Sequence, residues 1–265
     1  MKNLDGKLLS IKQKGFTIVE LMIAGTLGII LIAGVIQLFT GSNRSFSMQE
    51  ELAKIQENGR FALILLENEI QKGGWVDNFN LDPPNAINLT NSSDGLTDSI
   101  AIAYATVIDG VANRDCNGAL VADGRIENRF YVGGANGDEL LCQGNGGGAA
   151  QPLISGVTNF QVLYGVETNT ACPDAVVNQY ITKTDAVAAG NSVILVSVRV
   201  SLLLSSDKNV RPAVKVDTHQ LLDTAWPTAD RLAHRLFQQT ISMPNSIYNT
   251  IGNPQMAIDC LRRGL

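Results

Sequence analysis

Glu20 has the most unusual chemical setting of any residue in this chain. It is the only ionisable side chain between Phe16 and Thr40, in a run that is otherwise apolar or uncharged. A carboxylate at the centre of a bilayer costs about 2.5 to 3.5 kcal/mol on translocon insertion scales, and less near the interface. Two interpretations follow: the side chain reaches back to water at the interface, or it meets a cation that another group supplies.

The run from Phe16 to Thr40 is long enough to cross a membrane. At about 1.5 Å per helical residue it reaches about 37 Å, against a hydrocarbon thickness of about 30 Å. Four lysines and one aspartate give the preceding segment a net charge of +3, whereas three basic and three acidic residues balance after it. This asymmetry predicts a cytoplasmic N-terminus and a head outside the cytoplasm. Because no small-residue cleavage site follows Ile36, we expect the apolar segment to be retained.

Residues 14–21, with the sequence KGFTIVEL, resemble the class III leader of type IV prepilins and type II secretion pseudopilins. In that family a prepilin peptidase cuts after the glycine and methylates the new N-terminal phenylalanine. The resemblance implies a cleaved leader at residues 1–15, a scissile bond between Gly15 and Phe16, N-methylation of Phe16, and Glu20 as the acidic residue of assembly. The basic segment before the motif and the apolar run after it supply the context that so short a motif requires.

A physical rationale accompanies these roles. Gly15 has no side chain to keep the backbone away from the peptidase. Cleavage would leave an α-amino cation on Phe16 in the membrane phase, where Glu20 of an incoming subunit can neutralise the amine of a neighbour. Because this salt bridge removes a buried-charge cost that neither subunit removes alone, we expect it to favour assembly.

Apolar residues recur at helical spacing after the membrane segment. They predict one helix over residues 16–72, of which 16–40 form the transmembrane segment or filament core, and Gly73-Gly74 follows as a stop. We expect the second half to pack on the chain's own sheet, with the charged residues on the opposite face. The apolar stripe is Met48, Leu52, Ile55, Gly59, Ala62, Leu66 and Ile70, and the charged face is Glu50, Glu51, Lys54, Glu57, Arg60 and Glu67.

Residues 73–265 are predicted to form an extracytoplasmic, β-rich head. Turn-rich stretches separate its strand candidates, which are Ser99–Ile108, Ile126–Val132, Leu153–Tyr164 and Ser192–Leu204. Arg231–Ile241 fits a strand or a helix, and a strand is favoured. The predicted fold class is therefore α+β and pilin-like, with a long N-terminal membrane-spanning helix packed on an antiparallel β-sheet head.

Three further segments resemble the W-type minor pilins, the PilW family. They are residues 60–75, RFALILLENEIQKGGW, and the tail segments 198–204, VRVSLLL, and 235–241, RLFQQTI. This resemblance implies a low-copy structural subunit that primes pilus assembly together with V-, X-, E- and U-like minor pilins. It also implies contacts with the major pilin, the prepilin peptidase, the inner-membrane assembly platform and, in some systems, a tip adhesin.

The same resemblance implies a location and leaves one alternative. A minor pilin is a single-pass protein of the bacterial inner membrane with its head in the periplasm, and after assembly it lies in the pilus near the tip, where it contributes to adhesion or twitching motility. The alternative is a J-like minor pseudopilin of a type II secretion system, which shares the leader and the long helix. The large, loop-rich head favours the pilus, because such pseudopilins are usually shorter.

A membrane-anchored extracellular binding protein or enzyme is the remaining class. The two histidines, His219 and His234, lie in no H-E-x-x-H or G-x-S-x-G pattern, so we expect no catalytic residue, no cofactor, and a strand-surface position for His234. The acidic loops at residues 94–98 and 136–138 lack the full spacing of a calcium loop, and turns without a metal are favoured. Residues 144–148 lack the Lys-Ser/Thr of a phosphate loop and are expected to be a flexible loop.

Net charge and the spacing of the cysteines limit the remaining classes of function. With 20 basic and 25 acidic residues the net charge is -5, which argues against sequence-independent nucleic-acid binding. The four cysteines form no C-x-x-C pair, and an oxidising compartment favours disulfides. Three pairings are open, and we expect Cys116 with Cys142 and Cys172 with Cys260; the alternative is that one pair stays reduced.

Overall fold

A computed structural model describes residues 15–75, 86–105, 114–121, 124–169 and 173–245. The chain divides into two compact units, residues 1–48 and residues 49–265, which are described separately. Helix α1 runs from Ile18 to Lys72 and contributes to both units. It confirms the long N-terminal helix that the hydrophobic pattern predicts.

The described part of the first unit consists mainly of the first half of α1. Its large apolar side chains are exposed, among them Leu21, Ile29, Leu38 and Phe39. By length and composition α1 is apolar enough to cross a membrane, and none of its most apolar window is buried. This half of the helix therefore has no apolar cover among the described residues of the chain.

The described part of the second unit contains two four-stranded antiparallel sheets and a two-stranded hairpin. The first sheet has the order β1-β2-β3-β4, with β1 at Ser99–Ala105, β2 at Arg125–Gly133, β3 at Glu139–Gly144 and β4 at Gln151–Ser155. The second has the order β10-β7-β5-β6, with β5 at Val157–Glu167, β6 at Gln179–Ile181, β7 at Ile194–Ser205 and β10 at His234–Ser242. Strands β8 (Lys215–Leu221) and β9 (Thr224–Asp230) form the hairpin, and a short helix α2 (Lys183–Ala189) precedes β7.

The predicted strands are confirmed, with changes of extent. The candidate Leu153–Tyr164 is two strands, β4 and β5, because the chain turns at Gly156 with a φ of +81° that other residues rarely adopt. The candidate Ser99–Ile108 is β1 as far as Ala105, and its last residues lie outside the described part. Arg231–Ile241 is confirmed as a strand, β10. Strands β3, β6, β8 and β9 and helix α2 were not predicted.

The larger hydrophobic core of the described residues lies between the second half of α1 and both sheets. The helix contributes Ile55, Leu66 and Ile70, and the sheets contribute side chains such as Phe130 and Phe160. Gly59 allows the closest approach, since a Cβ at this position would collide with the ring of Phe237 on β10. The predicted packing of this helix half on the chain's own sheets is thus confirmed.

Glu51 corrects the predicted polar face of α1. It was expected on the exposed, charged side, yet its relative exposure is 4%. Its carboxylate accepts a hydrogen bond of 3.0 Å from the backbone N–H of Asp207 and lies 3.6 Å from Nζ of Lys208, both just after β7. Lys54, one turn further along α1, forms an ion pair with Asp207. These contacts tie the helix to the segment that leaves the second sheet.

We predict that Glu51→Ala lowers the free energy of unfolding by about 1 to 3 kcal/mol, because it leaves the Asp207 N–H without its buried acceptor. Urea unfolding of the full chain in detergent, followed by tryptophan fluorescence, measures the change. The matched control is Glu50→Ala at the exposed neighbouring position, where a change within about 0.5 kcal/mol is expected. Equal effects of the two substitutions would contradict a role for the buried carboxylate.

Candidate functional site

Helix α1 starts immediately after the residues of the leader motif. Gly15, Phe16 and Thr17 precede the helix, which begins at Ile18. The side-chain oxygen of Thr17 accepts a 3.2 Å hydrogen bond from the backbone N–H of Glu20, so Thr17 is the N-cap. Thr17 and Glu20 have the spacing of a capping box. This helix-start signal lies within the leader motif, and the helix prediction did not include it.

Glu20 lies exposed in the first turn of α1, within an apolar surface. Phe16 is 86% exposed, and the large apolar side chains that follow it are exposed as well. Among the described residues, no lysine or arginine forms an ion pair with Glu20. The structure therefore brings Gly15, Phe16 and Glu20 together at one helix end, and the described chain supplies no cation for the carboxylate.

The disulfide between Cys116 and Cys142 is confirmed. It joins β3 to the turn that precedes β2, where the Asp115 carboxylate accepts backbone hydrogen bonds from Asn117, Ala119 and Gly146. The glycine-rich segment 144–148, expected to be a flexible loop, closes over this carboxylate, and a Cβ at Gly144 would collide with it. Cys172 and Cys260 lie outside the described residues, and their pairing stays a prediction.

The carboxylates of the acidic loop at residues 94–98 accept hydrogen bonds from backbone N–H groups. Asp94 accepts hydrogen bonds from the N–H of Lys183 and of Thr184, at 3.1 and 2.6 Å, and thereby caps the start of α2. Asp98 accepts from the N–H of Gly95 and of Val162, at 3.0 and 2.8 Å. Burial raises the pKa of Asp98 to about 6, although these hydrogen bonds oppose the shift. The loop thus uses its carboxylates to fasten turns.

The two histidines meet where the hairpin lies against β10. The ring centroids of His219 and His234 are 5.3 Å apart, and Nε2 of His234 lies 2.9 Å from Oδ2 of Asp230. The side chain of His234 is only 3% exposed, so the predicted surface position was wrong. Burial, and then the neighbouring His234, lower the pKa of His219. The pair packs β8 and β9 against β10. Because this contact depends on how whole segments pack, no local sequence pattern predicts it.

The raised pKa of Asp98 predicts a pH dependence of stability. The folded state holds this proton more tightly than the unfolded chain, so the contribution of Asp98 to stability increases as the pH falls through about 6. The measurement is the titration of the Asp98 carboxyl carbon by NMR, with a midpoint near pH 6 as the expected result. A midpoint near pH 4 would show that the carboxyl is not desolvated.

Comparison with known proteins bears on the head. Residues 129–245 match the family model of the type IV pilus-assembly protein W. A type IV-like pilin from Thermus thermophilus is similar in structure, with 12% sequence identity and a TM-score of 0.45 over 75% of this chain and 97% of that chain. No curated protein matches the chain significantly.

The matched range runs from β2 to just beyond β10. It contains both tail segments that carry the W-type resemblance, 198–204 in β7 and 235–241 in β10. These segments pair with each other residue by residue, with Leu202 opposite Phe237 and Val200 opposite Gln239. The two tail segments therefore lie side by side at the edge of the second sheet. Residues 129–245, which form most of the described head, are thus similar to the type IV pilus-assembly protein W family.

Proposed function

We propose that this chain is a minor pilin of a type IV pilus, a low-copy structural subunit that helps to prime assembly and lies near the tip. One observation carries the proposal: an uncovered apolar helix with a single carboxylate in its first turn is joined to a head of which residues 129–245 match the family model of the type IV pilus-assembly protein W. In this role the protein contributes to pilus biogenesis, adhesion or twitching motility by its contacts and performs no catalysis.

The leader is removed in the first proposed step. The bond between Gly15 and Phe16 lies before the N-cap Thr17, so it precedes the helix. A backbone outside a helix has no internal hydrogen bonds to break before a peptidase can hold it in an extended form. Within the described part of the chain, no atom beyond the adjoining residues lies within 4 Å of the position of a Cβ on Gly15. These features support prepilin peptidase cleavage after Gly15 and methylation of Phe16.

The second proposed step pairs charges between subunits. Thr17 already satisfies the backbone N–H of Glu20, and the described residues show no hydrogen bond that engages the Glu20 carboxylate. An unpaired carboxylate in an apolar surface favours the nearest available cation, and the amine freed on a neighbour's Phe16 is such a group. The pairing would guide an incoming subunit to the correct axial position in a filament.

The proposed location follows from the two halves of the molecule. Before assembly the apolar half of α1 spans the inner membrane and the head lies in the periplasm, which suits the Cys116–Cys142 disulfide. After assembly the protein is part of the pilus near its tip. The proposed partners are V-, X-, E- and U-like minor pilins, the major pilin, the prepilin peptidase, the assembly platform and, where present, a tip adhesin.

A J-like minor pseudopilin of a secretion system is the second candidate function. It would use the same leader, helix and Glu20. The match of residues 129–245 to a pilus-assembly family favours the pilus. Deletion of the gene distinguishes the two: loss of surface pili with normal protein secretion supports the pilus, and the reverse supports the pseudopilus.

We predict that Glu20→Ala leaves leader cleavage intact and reduces incorporation into pili at least about tenfold, because the salt bridge between subunits is lost. Immunoblots of the sheared pilus fraction and of the membrane fraction measure both effects. Glu57→Ala, which removes an exposed carboxylate from the second half of α1, is the matched control and should incorporate normally. Normal incorporation of Glu20→Ala would refute the assembly role.

We further predict that Gly15→Ala slows processing, because a side chain then stands beside the scissile bond. The ratio of precursor to mature protein after a pulse of synthesis measures the rate. Gly25→Ala lies in α1 with open space around the added Cβ, and it should be processed at the normal rate. Equal processing of both variants would contradict the assignment of Gly15.

A further inference from the structure

A polar groove lies on the second sheet, away from the hydrophobic core. Its volume is about 460 Å³, and it is lined by Arg199 of β7, by Gln238, Gln239 and Thr240 of β10, and by Gln220 and Leu222 at the end of the hairpin. Arg199 pairs with Thr240 in the sheet, in positions that alternate with the core residues Val198 and Val200. Among the described residues no aspartate or glutamate lines the groove, and the one charged side chain in this lining is Arg199.

Two contacts hold the guanidinium of Arg199 in place and leave its terminal N–H donors available. Its guanidinium carbon lies 3.7 Å from the ring centroid of Tyr180, and its Nε donates a 3.2 Å hydrogen bond to the hydroxyl of Thr240. Within the described ranges, neither of its terminal Nη atoms has a hydrogen-bond acceptor. A fixed guanidinium with free terminal donors matches the two oxygens of a carboxylate.

The neighbouring amides are oriented as well. Gln238 donates through Nε2 to the hydroxyl of Ser201 at 3.2 Å, and Gln220 donates through Nε2 to the carbonyl of Leu222 at 3.0 Å. Neither amide oxygen accepts a hydrogen bond from the described side chains or backbone. Together with the Thr240 hydroxyl they present acceptors and a donor at fixed positions, as a ligand rich in hydroxyl groups requires.

Leu222 closes the groove with an apolar side chain on an unusual backbone. Its φ is 53°, in the left-handed region that residues such as glycine and asparagine adopt more readily. The two-residue turn between β8 and β9 requires such a φ at its first position, and Leu222 holds that position. The turn is held to the sheet by a 3.2 Å hydrogen bond from the Thr224 hydroxyl to Gln161. Leucine here offers the one large apolar surface among the groove residues.

We propose that this groove binds an acidic saccharide, with the carboxylate of a uronic acid on Arg199 and the sugar hydroxyls on Gln238, Gln220 and Thr240. The chemistry favours a sugar over an acidic peptide, because the groups beside Arg199 are amides and a hydroxyl, which suit sugar hydroxyls, and Leu222 is the one apolar side chain among the described lining residues. The proposal does not depend on whether the assembly is a pilus or a pseudopilus.

The test measures binding of trigalacturonate to the full chain in detergent micelles by isothermal titration calorimetry. The neutral trisaccharide galactotriose and the acidic peptide tetraglutamate are compared under the same conditions. We expect trigalacturonate to bind, and Arg199→Gln to weaken its binding about tenfold, since a charge-assisted bidentate contact is lost. Gln238→Leu, at an exposed position, should weaken binding by a smaller factor and decides the question if Arg199→Gln unfolds.

Arg235→Gln is the matched control. Arg235 lies on the same strand, with its guanidinium 6.0 Å from the ring centroid of Phe237, and it does not line the groove. Its replacement should leave trigalacturonate binding unchanged. The proposal is overturned if trigalacturonate does not bind, if galactotriose or tetraglutamate binds equally well, or if Arg235→Gln weakens binding as much as the groove variants.

Discussion

The uncovered apolar surface of the first half of α1 is the constraint on which the rest of the account depends. Side chains such as Leu21, Ile29 and Phe39 project from this helix without cover from the described chain. Because water disfavours so much exposed hydrocarbon, lipid or other helices must cover it. A single carboxylate, Glu20, interrupts this surface, and its partner must then come from outside the described chain. Under the proposed function, the membrane supplies the cover before assembly and neighbouring subunits supply both cover and cation afterwards.

The second half of α1, in contrast, is covered by the head. Carboxylates fasten the elements around the shared core: the buried Glu51 ties the helix to the end of β7, the buried Asp98 joins its loop to β5, and the exposed Asp94 caps α2. The Cys116–Cys142 disulfide secures the turn before β2. Under the proposed function, a head fastened in this way carries a binding surface at a defined place while the apolar half of the helix moves from lipid to neighbouring subunits.

Local patterns in the sequence predicted the elements that depend on local physics. The apolar periodicity gave α1, and the alternation in VRVSLLL gave β7. The hairpin was missed because β8 and β9 are largely polar, β9 contains Pro227, and their turn places Leu222 where a glycine or asparagine would have signalled it. The burial of Glu51 and of His234 depends on partners in distant or packed segments. Such contacts are properties of the assembled head and leave no periodic trace in the sequence.

The central claim is that a newly exposed amine on Phe16 provides the cation for Glu20. Mass spectrometry of the N-terminal peptide, from protein purified out of cells with an active prepilin peptidase, tests it most directly. The account predicts a mature chain that starts with N-methylated Phe16. A native chain that still starts with Met1, or that keeps residues 1–15 in the presence of the peptidase, would contradict it.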